Sequence, residues 1–171
     1  MNFQINNFKK QNAFTLIELL IVIAVVGIIA TVVFLSLAST RQDAGDSLRK
    51  SELDRIGQPL RAYGGNLSSY LSGVPPSGDL NILFDEIELK TNFKIFGQRP
   101  KDPNAPTGET GFGYIISGSD IVIYANLANP EAEVTLPHAA PTPGGGNGVL
   151  QGSGSWSSGL NGTDKYYQVS N

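Results

Sequence analysis

The chain has 171 residues, with 12 Lys and Arg against 15 Asp and Glu, a formal net charge of −3 and no cysteine. That length holds one modest domain plus an anchor rather than two full domains. The missing thiols exclude disulfides, thiolate zinc sites and cysteine nucleophiles, and the lack of a dense basic run beyond the first ten residues leaves nucleic-acid binding without support.

The first segment, residues 1–13, is polar and ends close to Lys9 and Lys10. Leu19–Thr40 then carries no charge and no proline, and Gly27 is its one glycine. A helix of that length spans roughly 33 Å at about 1.5 Å per residue, enough for a hydrocarbon core of about 30 Å. The segment is apolar on every side, which suits lipid better than a half-buried surface, and helix is how a single segment satisfies its own backbone there. A cleaved secretory signal would have a shorter apolar region, although Ser36-Leu37-Ala38 offers a small-residue junction. A plain signal anchor accounts for the length and for Lys9 and Lys10. Neither reading accounts for Glu18, since an acid beside lipid is costly and usually has a partner.

The boundary residues Lys9-Lys10-Gln11-Asn12-Ala13-Phe14-Thr15-Leu16-Ile17-Glu18-Leu19-Leu20 closely resemble the processing site of type IV prepilins and type II secretion pseudopilins. The resemblance implies a leader, residues 1–13, cut on the cytoplasmic side by a prepilin peptidase between Ala13 and Phe14. It implies that the same enzyme N-methylates Phe14, and that Glu18 is the acidic residue that meets the N-terminal amine of a neighbouring subunit during filament assembly. Gly27 matches a glycine common further along the family's helix. Ala13 stands where the family more often has glycine, and Leu35 stands near where many members have proline. Physically, a carboxylate in a low-dielectric surrounding is costly until its cationic partner arrives, which would make Glu18 a register device.

Beyond Arg41 a charged, amphipathic helix is expected to continue to about Tyr63. Leu53, Ile56, Leu60 and Tyr63 follow the 3-4-3 spacing of one buried stripe. Asp46 and Lys50 form a four-residue pair, and Arg49, Glu52, Asp54 and Arg55 are expected on solvated faces. Pro59 is a candidate kink, and Gly64-Gly65 a stop. The region 64–111 reads as connection with short elements; Leu80–Phe84 or Ile87–Ile95 fits either a helix or a strand. Phe112–Ser117 and Asp120–Leu127 read as strands joined by a two-residue turn at Gly118-Ser119. Ala132–Leu136 is a candidate third strand and Lys165–Val169 a final one, with 141–159, including Trp156, an exposed flexible loop rich in Gly, Ser and Pro. The expected fold is therefore α+β: a long N-terminal α-helix, transmembrane over 14–40 and amphipathic over 41–63, packed against a small antiparallel β-sheet in a head of residues 64–171.

No constellation for catalysis stands out. His138 is the sole histidine, flanked by Pro137 and Ala139, and Gly144–Gly148 lacks the lysine and flanking elements of a phosphate loop. Asp102, Asn104, Glu109 and Asp120 offer oxygens near one hairpin, but without a recognisable calcium loop; no metal or cofactor is expected. Asn66-Leu67-Ser68 and Asn161-Gly162-Thr163 match the glycosylation triplet at a length that chance supplies. The resemblance implies a non-enzymatic filament subunit. It would be made as a single-pass cytoplasmic membrane protein with its head outside the cytoplasm, then enter an extracellular or periplasmic filament. Its implied partners are the prepilin peptidase, further copies or related pilins, the membrane, and a separate assembly motor and platform. The alternative is an anchored extracytoplasmic binding module that does not polymerise.

Overall fold

The computed structural model describes residues 14–62, 71–91 and 98–171. The leader, Tyr63, Gly64-Gly65 and the Asn66 triplet lie outside the described residues, as does the side chain of Leu60. Helix α1 runs Leu16–Ala62, with Pro59 inside it. The chain divides into two compact units, Met1–Ser39 and Thr40–Asn171.

In the first unit the described residues form the apolar part of α1. Every large apolar side chain described between Phe14 and Leu37 is at least 46% exposed. Thr31 donates its hydroxyl to the Gly27 carbonyl at 2.9 Å, and Ser39 donates to Ser36 at 3.0 Å. Such back-bonding lets a hydroxyl sit in an apolar helix without an unmet donor.

In the second unit the strands are β1 (Ser77–Asp79), β2 (Phe112–Ser117), β3 (Asp120–Asn126), β4 (Gly148–Gln151) and β5 (Lys165–Ser170). They form one five-stranded antiparallel sheet in the order β1-β2-β3-β5-β4, and the protein is an α+β structure. Helix α2, Leu80–Thr91, follows β1 directly. It resolves the open reading of residues 80–95 in favour of helix as far as Thr91. Asp79 caps it, accepting from the Asn81 N–H at 2.9 Å, and also accepts from the Thr110 hydroxyl and the Gly111 N–H. One carboxylate thus satisfies an orphan donor at a helix start and closes the turn that leads into β2.

The hairpin between β2 and β3 forms as the sequence predicts, with Ser117 opposite Asp120. Gly118 takes a φ of 63°, a region that costs glycine nothing. Alternation along the paired strands sends Phe112, Tyr114, Ile121, Ile123, Ala125 and Val169 to one face. There they meet Leu53 and Ile56 of α1 and Leu80, Leu83, Phe84 and Ile87 of α2 in the main core.

The opposite face differs from expectation. Residues 141–159 are not an exposed loop: they contain β4 and the 3₁₀ turn Gly154–Trp156, and they bury Pro141, Val149, Leu150 and Gly152. Gln168, fully buried, accepts from the Thr142 N–H at 2.9 Å and donates to the Gly146 carbonyl at 2.9 Å. Ser170 accepts from the Gly144 N–H at 2.7 Å. Trp156 is half-buried and meets Tyr124 and Tyr166 edge-on, with ring centroids 5.1 and 5.3 Å away. The segment is glycine-rich because its backbone must approach the sheet closely and pair with buried polar side chains.

Ala132–Leu136 is not a strand. Its Thr135 and Leu136 N–H groups both converge on the Val149 carbonyl, and the Thr135 hydroxyl accepts from the Val149 N–H at 2.9 Å. With Pro130 and Pro137 on either side, the segment seals the edge of β4 through one residue instead of extending a ladder.

Candidate functional site

The motif residues sit at the start of α1. Phe14 is exposed just ahead of the helix, whose first residue is Leu16. Ala13 lies outside the described residues. Thr15 and Glu18 close a reciprocal capping box. The Thr15 N–H and hydroxyl each donate to Glu18 Oε2 at 2.8 Å, and the Glu18 N–H donates back to Thr15 Oγ1 at 3.3 Å. Threonine at the cap and glutamate three residues later is the pairing that satisfies the unbonded N–H groups of a first turn. Glu18 therefore has a polar partner within the chain, a role the sequence reading did not give it. The same Thr-x-x-Glu spacing at the head of an apolar run was the signal that would have found it. Gly27 faces open space: a Cβ there would meet nothing within 4 Å. Its small size answers no packing need inside the chain.

Among the described residues, the stretch Leu16–Pro59 is one helix long and apolar enough, by length and composition, to cross a membrane.

The second polar centre is inside the Thr40–Asn171 unit, and it corrects the surface reading for Arg49 and Asp46, while Asp54 and Arg55 are exposed as expected. Asp46 and Arg49 are each 4% exposed and Asp102 only 1%. Arg49 grips Asp102 with Nε and Nη2, reaches Asp46 with Nη1 at 2.9 Å, and donates from Nη2 to the Asn161 side-chain Oδ1 at 3.2 Å. The second carboxylate is satisfied by backbone: Asp46 accepts from the Ala128 and Asn129 N–H groups at 2.8 and 2.9 Å. Asn161 donates to Asp102 and to the Asn126 carbonyl. This use of its amide explains the Asn161-Gly162-Thr163 triplet as structural. Asp46 does not pair with Lys50, whose ammonium instead lies 5.9 Å from the centre of the Tyr167 ring. Glu52 and Arg55 do pair on the helix surface.

Burial pulls the Asp102 carboxyl upward, but hydrogen bonds from Arg49, the Asn104 N–H and Asn161, together with the Arg49 charge, outweigh it and hold the group below its usual range. A buried guanidinium facing two carboxylates is tolerable because none of the buried side-chain nitrogens and oxygens described lacks a hydrogen-bond partner. The sequence did contain a sign of it. The apolar stripe Leu53 and Ile56 continues backwards through Arg49 and Asp46 at the same 3-4-3 spacing, so these charges share the buried face.

Asp102, Glu109 and Asp120 form no metal-holding group among the described residues; Asp102 is committed to Arg49, while Glu109 and Asp120 are exposed. His138 is half-buried, its Nε2 being 3.1 Å from the Gly145 carbonyl oxygen. Burial pushes the Tyr124 hydroxyl up to about 12, with smaller contributions from Tyr166 and Asp79. That fits a packing role better than proton transfer near neutral pH.

Residues 8–34 match the prokaryotic N-terminal methylation motif, the signature of type IV pilins and pseudopilins. No curated protein and no solved structure matches the chain. The motif supports a type IV pilin-like precursor, and the apolar helix fits membrane anchoring. Proteins with this signature are structural subunits, not enzymes.

Proposed function

We propose that this chain is a structural subunit of a type IV pilus-like filament. It is cut after Ala13, N-methylated on Phe14, and assembled through the apolar part of α1. The observation that carries this reading is the conjunction of the matched motif over 8–34 with a helix that starts two residues beyond Phe14 and whose large apolar side chains, where described, are exposed as far as Leu37. Such a surface needs lipid before assembly and neighbouring helices after it. The cytoplasmic membrane holds the helix first, with the head outside the cytoplasm. A prepilin peptidase and methylase processes it, and a separate motor and platform supply the work of extraction. Glu18 exchanges its capping-box partner for the methylated α-amine of a neighbouring copy, which fixes the register.

The test is intact-mass and N-terminal peptide analysis of the protein recovered from its native cells. The expected product begins at N-methylated Phe14. A chain that keeps Met1, or one cut after Ala38, would overturn the proposal in favour of a simple anchor or a secreted protein.

A further inference from the structure

Within the Thr40–Asn171 unit, α1 carries opposite charge on its two flanks. At roughly 100° per residue, Leu48 stands about 140° around the helix from Asp43. On one flank Gly45, Leu48, Glu52 and Arg55 line a groove of about 510 Å³ with the segment Gln98–Pro103. Leu48 is 64% exposed there, a lone large apolar side chain on an otherwise charged surface. Arg41, one heptad before Leu48, and Lys101 on the groove wall are both exposed. Arg55 is shared with Glu52. Arg99, also on the wall, is already held by Asp85 and Glu88. Arg49 and Asp102, which also line the groove, are matched within the buried network, so beside the apolar floor Lys101 and Arg41 are the two bases, among the described residues, that no carboxylate already holds.

On the other flank the sign reverses. Asp43 binds the Asn129 amide and Asp54 binds the Tyr167 hydroxyl, both through neutral donors that leave the charges in place. Lys50 lies there too, over the Tyr167 ring. The chain leaving Asn129 then presents Glu131, Glu133 and Val134, all exposed, with Val134 41% exposed. This acidic ridge carries one apolar residue, matching in sign and in kind a basic groove that carries one apolar residue.

We infer that the two flanks are the two halves of a single head-to-tail contact: the 131–134 ridge of one copy seats in the Leu48 groove of the next. The occupant is a second copy of this chain. Two different patches on opposite flanks cannot make a closed two-fold pair with each other, and repetition of such a heterologous contact gives an open array wherever its rotation does not close into a ring. The complementary charges select this pairing over ridge-to-ridge or groove-to-groove contact, each of which sets like charges together. This contact rests on the filament reading and adds to the register set at Glu18 a specificity carried by the head.

The chain has no native cysteine, so the contact can be trapped cleanly. Leu48→Cys and Val134→Cys are introduced together in the full chain in its native cells, and the cells are oxidised mildly before non-reducing electrophoresis. The expected result is a ladder of dimers, trimers and higher species from the double variant, with no ladder from either single variant. In addition, Lys101→Glu with Arg41→Glu should reduce filament yield, and adding Glu131→Lys with Glu133→Lys to the same chain should restore it. Filaments of N-methylated chains that give no ladder and ignore the charge reversals would overturn the contact and leave the filament reading standing. A strong dimer from Leu48→Cys alone would make the contact symmetric and overturn it as well. If the unaltered chain is neither processed at Phe14 nor polymerised, the filament reading itself fails, and this inference with it.

Discussion

Residues 14–39 and residues 40–171 solve opposite problems. In the first stretch the large apolar side chains described face outward, and side-chain hydrogen bonds stay within one helical turn. In the second, Leu53 and Ile56 are fully covered, and two carboxylates and a guanidinium are drawn inside. One continuous helix contributes to both. The difference shows that helix formation and burial are separate matters. The backbone closes its own ladder in either place, but only the second stretch finds its packing partners within the chain. Order in the first beyond the helix itself must come from lipid or from other copies.

The largest expected effect breaks this comparison at Arg49. Arg49→Ala leaves Asp46 and Asp102 buried without their common cation, a loss of about 3–5 kcal/mol. Trp156, the single tryptophan, is wedged between Tyr124 and Tyr166 and reports unfolding of the head by fluorescence. In detergent-solubilised full chain, the Arg49→Ala midpoint in denaturant should fall sharply. Ile21→Ala, in the exposed apolar stretch, should leave the same transition within about 0.5 kcal/mol. Equal shifts for the two variants would show that the stretches are not independent in the way their burial implies.

The two stretches also differed in how readily the sequence disclosed them. The apolar run and the motif around Phe14 are local patterns, so the anchor, its helix and the capping acid were all within reach of a window of a dozen residues. The hairpin Phe112–Asn126 was equally legible, because period-two alternation and a Gly-Ser turn are local too. What was hidden depends on distant partners. Asp46 and Arg49 read as surface charge because their acceptors and donors, Asp102, Ala128 and Asn129, lie more than 50 residues away. Residues 141–159 read as loop because glycine content signals flexibility locally, whereas here it permits close approach to Gln168, Ser170 and the aromatic trio.

A middle-sized effect sharpens the account of that covered face. At Gly113 on β2, a Cβ would lie 2.2 Å from Tyr124 Cζ and 2.3 Å from its hydroxyl oxygen. The Tyr124 ring cannot simply swing aside, since Trp156 and Tyr166 hold its edges. Gly113→Ala should therefore cost about 1–3 kcal/mol through overpacking. Combining it with Tyr124→Ala should cost less than the sum of the two single changes, because removing the ring removes the clash. Strict additivity in that cycle would show that the ring and the glycine do not constrain each other.

The smallest effect is absent at neutral pH and appears only in acid. Asp102 is held below the ordinary carboxylate range in the folded head, whereas in the unfolded chain it titrates near about 3.9. The folded state therefore binds this proton less readily than the unfolded one. The resulting stabilisation is complete above about pH 4 and drains away as pH falls through the folded-state value below it. In the Trp156 transition, the full chain should lose stability more steeply below about pH 4 than Asp102→Asn does. The variant begins less stable, but it has no proton to take up at that position. Residues 14–39 carry a single titratable side chain, Glu18, so helical content from that stretch should outlast the head as the acid limb proceeds. Parallel acid limbs in the two chains would remove Asp102 as the responsible group. A steeper limb in the unsubstituted chain would locate the acid sensitivity in the buried network that distinguishes the head from the anchor.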